Sequence, residues 1–181
     1  PTVNISDATD MPTRISPIPI QVSFSEDVQF FSKEDVELLD GGTLTYVNQE
    51  SMSRHTLNFV PHVEGDFNLV IYAGSVQDLA TNPSIVSNTL VLTFDTTRPN
   101  ATLTTTLTNN YTNVSPIPVT ATFDEAVVGV VDGDWSVANG AASGTAGADA
   151  ERTVDVIPTA QGLVTVQLPD NSVTDLAYNQ L

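Results

Sequence analysis

Cysteine is absent from the 181 residues, so no disulfide holds this chain together and no thiolate serves it as ligand or nucleophile. Basic residues are scarce: 5 Lys and Arg stand against 22 Asp and Glu, a formal net charge of -17. A field of that sign repels nucleic acid and anionic lipid and attracts cations. Aromatic residues make up 7% of the chain and Trp occurs once, which leaves little material for a sugar-stacking platform. Long apolar runs are missing too. Ala126-Val127-Val128-Gly129-Val130-Val131 is the longest, well short of the roughly 20 residues a membrane helix needs. Catalytic signatures are equally lacking. There is no Gly-x-Ser-x-Gly elbow, phosphate loop or His-Glu-x-x-His motif, and the two histidines, His55 and His62, lie far from any such pattern. A carboxylate pair could do glycosidase chemistry, but chance pairs are common in so acidic a chain. An enzyme is the reading this composition supports least.

What is present is a sequence stated twice. Ser16-Pro17-Ile18-Pro19-Ile20-Gln21-Val22-Ser23-Phe24-Ser25-Glu26 returns as Ser115-Pro116-Ile117-Pro118-Val119-Thr120-Ala121-Thr122-Phe123-Asp124-Glu125, an offset of 99. Ser75-Val76-Gln77-Asp78-Leu79-Ala80-Thr81-Asn82 returns as Ser172-Val173-Thr174-Asp175-Leu176-Ala177-Tyr178-Asn179, an offset of 97. Two matches in one order at nearly one spacing mean tandem copies. A unit of roughly 100 residues exceeds a solenoid repeat and suits a self-sufficient domain. The expected division is 1–97 and 98–181. Hydrophobic residues at 40% supply real cores. Pro1 aligns with Pro99, so the chain reads as a piece of a longer array.

The periodicity is that of strands. Ile18, Ile20, Val22 and Phe24 alternate with polar or small positions, as do Leu57 and Phe59; Leu90, Leu92 and Phe94; and Val164, Val166 and Leu168. Period-two alternation argues for half-buried strands. Turn signals at Asp40-Gly41-Gly42, Glu64-Gly65-Asp66, Asn139-Gly140 and Pro169-Asp170-Asn171 separate them. The expected fold is all-β: two tandem Ig-like β-sandwiches. In the first copy, strands are expected near 2–6, 18–24, 28–31, 36–39, 43–48, 54–60, 67–72 and 86–94. Single helical turns are expected at 32–35 and 132–134. Pro19 and Pro118 should lie at an edge or a kink. The small residues of 140–147 suggest a looser segment. The second copy reaches Leu181 without a counterpart of the alternating Leu90–Phe94 run. Its last strand is therefore expected from continuing chain or from another chain, as in donor-strand filaments. His55 reads as a solvated side chain, and Trp135, aligned with Val36, as core.

The set Ser-Pro-Ile-Pro-Val-Thr-Ala-Thr-Phe-Asp-Glu-Ala-Val (115–127), Val-Ile-Pro-Thr-Ala-Gln-Gly (156–162) and Val-Thr-Asp-Leu-Ala-Tyr-Asn (173–179) resembles the bacterial Ig-like repeats of large cell-surface and adhesin proteins. The joint Phe94-Asp95-Thr96-Thr97-Arg98-Pro99 is similar to the Asp-Thr-Thr-x-Pro link between such repeats. The resemblance implies an extracellular or cell-surface protein whose sandwiches run in arrays and serve adhesion. Thr81 and Tyr178 depart from it, standing where glycine is common.

Hard-cation binding is the strongest chemical signal. In an Ig-type sandwich, the turn after the second strand and the last hairpin loop share an end with the incoming linker. Asp124 and Glu125 sit in the first, Asp175 and Asn179 in the second, and Asp95 in the linker. Ca²⁺ takes six to eight oxygens, several of them anionic. Glu26, Asp27, Asp78 and Asn82 are the matching set of the first copy. The competing reading makes these solvated acids, with Asp78 and Asp175 organising Asx turns. Four sequons, at Asn4, Asn100, Asn110 and Asn113, would carry glycans only in a secreted eukaryotic protein.

Three functions compete. The favoured one is a structural or adhesive module that spaces and stiffens an extracellular array or filament, with neighbouring repeats as partners. The second is a module binding surface glycans or proteins, for which Tyr111 and Tyr178 are the exposed aromatics the loops offer. An enzyme comes last. Nucleic acid and membrane insertion are not expected.

Overall fold

The computed structural model describes residues 1–38, 41–109 and 111–181, with Val47 by its backbone only. The chain divides into two compact units, Pro1–Thr96 and Thr97–Leu181. Leu39, Asp40 and Asn110, which belong to an expected strand end, a turn and a sequon, lie outside the described residues.

The first unit contains β1 (Val3–Asp7), β2 (Ile18–Phe24), β3 (Val28–Gln29), β4 (Val36–Leu38), β5 (Gly42–Ser51), β6 (Arg54–Pro61), β7 (Gly65–Ile71), β8 (Gln77–Asp78) and β9 (Leu90–Phe94). One sheet has the order β1-β2-β6-β5 and the other β4-β7-β9, with β3 and β8 paired separately. Labelled A to G, the seven main strands form ABED and CFG sheets, the plan of an Ig constant-type sandwich. A single 3-10 turn, Lys33–Asp35, precedes β4. Pro19 sits in the interior strand β2, but the ladder with β1 ends at Ile20. The residue that cannot donate therefore lies where β2 has one neighbour only.

Alternation decides the core. Ile18, Ile20 and Val22 on β2, Leu57 and Phe59 on β6, and Phe67, Leu69 and Ile71 on β7 are all buried. Phe59 and Phe67 meet edge to face across the two sheets, with ring centroids 4.9 Å apart. Such pairs add about 0.5–1.5 kcal/mol beyond the area they bury. Gly42 makes room for them: a Cβ there would fall 2.1 Å from a Phe59 ring carbon.

The second unit repeats the plan with β10 (Ala101–Thr105), β11 (Ile117–Phe123), β12 (Val127–Val128), β13 (Ser136–Ala138), β14 (Gly140–Ala146), β15 (Glu151–Pro158), β16 (Thr165–Gln167) and β17 (Thr174–Asp175). Its sheets are β10-β11-β15-β14 and β13-β16, with β12 and β17 paired. These are ABED and CF; among the described residues no strand takes the place of β9. Trp135 is buried, and its indole N–H donates to Thr145 Oγ1 at 3.1 Å, so it is core.

Two expectations are corrected. His55 is buried at 3% exposure, not solvated. Its place on β6 puts it on the inward face with Leu57 and Phe59, and its ring packs against Phe31 at 4.7 Å. The 140–147 segment forms a strand over Gly140–Ala146 paired with β15; none of its small residues is buried, and its register shifts between Ser143 and Ala146. Backbone pairing, which needs no large side chain, holds it. The last strand of the first copy starts at Leu90 rather than near 86.

Gly42→Ala should destabilise the first unit by about 1–3 kcal/mol, the usual cost of overpacking. Urea denaturation followed by far-UV circular dichroism measures this. Gly133→Ala, where a Cβ meets nothing within 4 Å, is the control and should be close to silent.

Candidate functional site

The short strand pairs β3–β8 and β12–β17 bring each unit's early turn beside its late loop. In the late loop an aspartate organises the backbone. Asp78 accepts the N–H groups of Ala80 and Asn82, both at 2.8 Å, and the Asn82 side-chain amide at 2.7 Å. Asp175 likewise accepts the N–H of Asn179 at 2.9 Å and its amide at 2.8 Å. Both aspartates are buried. The Asn82 amide, followed by the backbone donors, holds the Asp78 carboxyl below its ordinary value. The Asx-turn reading of these residues is thus realised in hydrogen bonds. Thr81 and Tyr178 take left-handed φ of 68° and 66° to close the loops.

The early turn divides its acids. Asp124 is exposed and accepts Asn100 N–H at 2.7 Å and the Asn100 amide at 2.9 Å, tying the start of β10 to the end of β11. These bonds hold its carboxyl below the ordinary value. Glu125, half-buried, comes within 4.8 Å of Asp175, carboxylate oxygen to carboxylate oxygen. In the first unit Glu26 lies 3.3 Å from the Pro1 amino group. Asp95 is half-buried just beyond β9, and its N–H donates to the Thr13 carbonyl at 3.0 Å. Within the second unit, then, Glu125 and Asp175 converge and Asp124 is turned to Asn100. Two close carboxylates repel unless a proton or a cation lies between them.

Asn4, Asn100 and Asn113 are exposed. Asn100 spends its amide on Asp124. Tyr111 and Tyr178 are exposed, as the loops promised, and so are Phe30 and Tyr72, which the sequence did not single out.

Two further polar anchors escaped sequence reasoning. Arg152 is buried, and its guanidinium donates to the carbonyls of Asp149, Glu151 and Val127, the last at 2.6 Å. It occupies the β15 position that His55 holds on β6, opposite Ala121 as His55 is opposite Val22. The inward phase of the alternation was the available signal. Asp132 accepts Thr145 N–H at 2.7 Å and Gly144 N–H at 3.1 Å; the Thr145 side chain, followed by these backbone donors, lowers its pKa. No pattern of spacing announced that contact.

No helix among the described residues is long and apolar enough to cross a membrane. No family model and no curated protein matches the chain. Among solved structures it is similar to the D0-D1 domain of Intimin, at TM-score 0.32 and 10% identity, covering 92% of this chain and 89% of that one. The Ig-like assignment rests on the strand order of each unit.

Acid should weaken the protein in two stages. Burial holds the His55 imidazole below its ordinary 6.5, so the unfolded chain takes that proton first and stability falls as pH drops below 6.5. Asp78, Asp124 and Asp132 are held below their ordinary 3.8, so their contribution is full above that value and is lost as pH falls through it. Melting temperature against pH should show both declines, and His55→Phe should abolish the first alone.

Thr81→Gly should raise stability by about 0.5–1 kcal/mol. A left-handed non-glycine residue costs roughly 1–2 kcal/mol, and glycine returns about half of that as lost chain entropy. Thermal denaturation checks it, with Thr81→Ala expected to give no gain.

Proposed function

We propose that the chain is a structural, adhesive module of an extracellular surface or filament protein, in which tandem Ig-like sandwiches space and stiffen an array. The observation that carries this reading is the repetition of the ABED and CF(G) plan in both units. Each unit builds its own apolar core between its own sheets, so units of this plan can follow one another along a chain. The acidic surface keeps such an array soluble and apart from nucleic acid. Neighbouring repeats and surface molecules are its natural partners.

Ca²⁺ is the cation proposed for the second unit's acidic loop. The approach of Glu125 to Asp175 supports it, and Asp95, two positions before that unit begins, is the third carboxylate the sequence supplies. Hard oxygen ligands of this kind suit Ca²⁺ over softer metals. A cation held there would offset the repulsion of the pair and stabilise the fold by mass action, about 2.7 kcal/mol at a hundred times Kd.

Calorimetric titration with Ca²⁺, and melting with and without chelator, test the cation. Binding should be saturable, chelation should lower the melting temperature, and Glu125→Gln should weaken binding at least tenfold. A melting temperature indifferent to Ca²⁺ and chelator would leave these acids as surface charge.

A further inference from the structure

His55 and Arg152 hold one position of the repeat, each facing the interior of its own unit, His55 opposite Val22 and Arg152 opposite Ala121. The backbone around them is the same. Val28 N–H donates to the Met52 carbonyl at 3.2 Å, and Val127 N–H to that of Asp149 at 3.1 Å. Phe24 N–H donates to Ser53 and Phe123 N–H to Ala150, each at 2.8 Å. In the second unit this place is a socket of main-chain carbonyls filled by a permanent cation. The Arg152 guanidinium reaches Asp149 at 3.1 Å, Glu151 at 2.8 Å and Val127 at 2.6 Å. Hydrogen bonds to three neutral acceptors make its burial tolerable.

The first unit puts a titratable ring there instead. His55 Nδ1 lies 3.1 Å from the Tyr46 hydroxyl. Nε2 is buried and has no hydrogen-bond partner among the described residues. Aromatic rings enclose the imidazole: Phe31 at 4.7 Å, Phe24 at 6.0 Å and Tyr46 at 6.2 Å between centroids. Of the elements around it, β5 supplies the titratable groups Tyr46 and Glu50, the latter exposed and bonded by Thr56 Oγ1 at 2.9 Å. From β2 come Val22 and Phe24, and from the segment after β3 comes Phe31, none of them charged. Arg54, beside His55 on β6, is exposed; Lys33 pairs with Glu34, and Asp35 is bonded to Ser32. Burial works against charge on the ring, and the Met52 carbonyl and Glu50 offset it only in part. A ring face favours a cation, but the second N–H of a charged imidazole would still lack an acceptor, and a buried donor left unbonded is destabilising.

Phe31 is the neighbour with least to hold it. It lies outside every strand, between β3, which ends at Gln29, and the 3-10 turn that begins at Lys33. Its ring is anchored by Phe24 at 5.3 Å and by His55. Phe30, just before it, is 88% exposed and takes a left-handed φ of 65°. In the second unit Gly129 stands there with φ of 73°. The backbone shape therefore belongs to the repeat, and Phe30 bears its strain without packing in return. The segment's anchor in the core thus packs on a buried group whose charge changes near neutral pH.

We propose that His55 and Phe31 form an acid-operated latch, in which protonation of the buried imidazole expels Phe31 and frees residues 30–35 while both sheets stay paired. The strands have their backbone ladders to hold them, and Phe31 has none. The second unit, with Arg152 in the same place, has no such step. Acid loosens one sandwich at one end and leaves the other closed.

Nuclear magnetic resonance of the full chain between about pH 8 and about pH 5, the range in which histidine titrates, tests this. Contacts between the Phe31 and His55 rings should be present at the upper value and lost at the lower one. The open population should grow by up to tenfold per pH unit, the limit for one proton. Amides of β2, β6 and β7 should keep their protection from exchange, and residues 129–134 should not respond. His55→Arg copies the second unit and should keep the segment closed throughout. His55→Gln, which cannot titrate, should show no pH response either, and it covers the case in which arginine does not fit. The proposal is overturned if the ring contacts persist at about pH 5, or if His55→Gln retains the acid-induced opening. It is overturned equally if the strand amides lose protection in step with Phe31, because His55 would then weaken only the sandwich as a whole.

Discussion

Burial of one apolar face per sheet, in a single layer between two sheets, is the constraint on which the rest of this molecule depends. No disulfide takes over the task. Among the described residues the ion pairs are those of Pro1 with Glu26 and of Lys33 with Glu34, and the latter partners are both substantially exposed. Exposed pairs of that kind contribute at most about 1 kcal/mol. Stability therefore rests on residues such as Ile20, Leu57, Leu69 and Leu92, each buried completely or nearly so. Each buried methylene contributes about 0.8 kcal/mol. The period-two pattern is what lets one chain supply both an inner and a wet face from the same strand.

The charge imbalance follows a different solution. With few basic side chains, the acids that must be fixed are fixed by amides. Asp78, Asp124, Asp132 and Asp175 each accept N–H donors from backbone or asparagine. Carboxylates bonded in this way stay charged without a cationic partner and order the loops at their own positions. Glu125 and Asp175 still come within 4.8 Å of each other, so their like charges meet there.

Strand existence was legible because alternation is a local signal that burial makes obligatory. β2 was read to the residue, and the two helical turns were placed correctly, since Ser32 and Val131 precede aspartates that reach back to bond their N–H groups. His55 was misread because polarity was weighed above phase, although its neighbours at two and four positions fixed the inward face. In the Gly140–Ala146 strand the small side chains bury nothing, as their size suggested, and backbone pairing to β15 holds the segment in place. In the loops, the sequence named the acids and their Asx alternative. Which carboxylate turns to which amide is set by backbone geometry, and spacing alone does not encode it.

The two copies solve one packing problem with unequal means. Where the first unit sets Ile20, Val22, Leu57 and Phe59 between its sheets, the second has Val119, Ala121, Val154 and Val156, and the Phe59–Phe67 pair becomes Val156 with Val164. Trp135 in the place of Val36 restores part of that volume from the β13 side. Val164, Val166 and Leu168 pack against this core only partly buried. A smaller core has less surplus to offset chain entropy, which costs roughly 1–2 kcal/mol per ordered residue. The second unit accordingly rests on the smaller apolar core of the two.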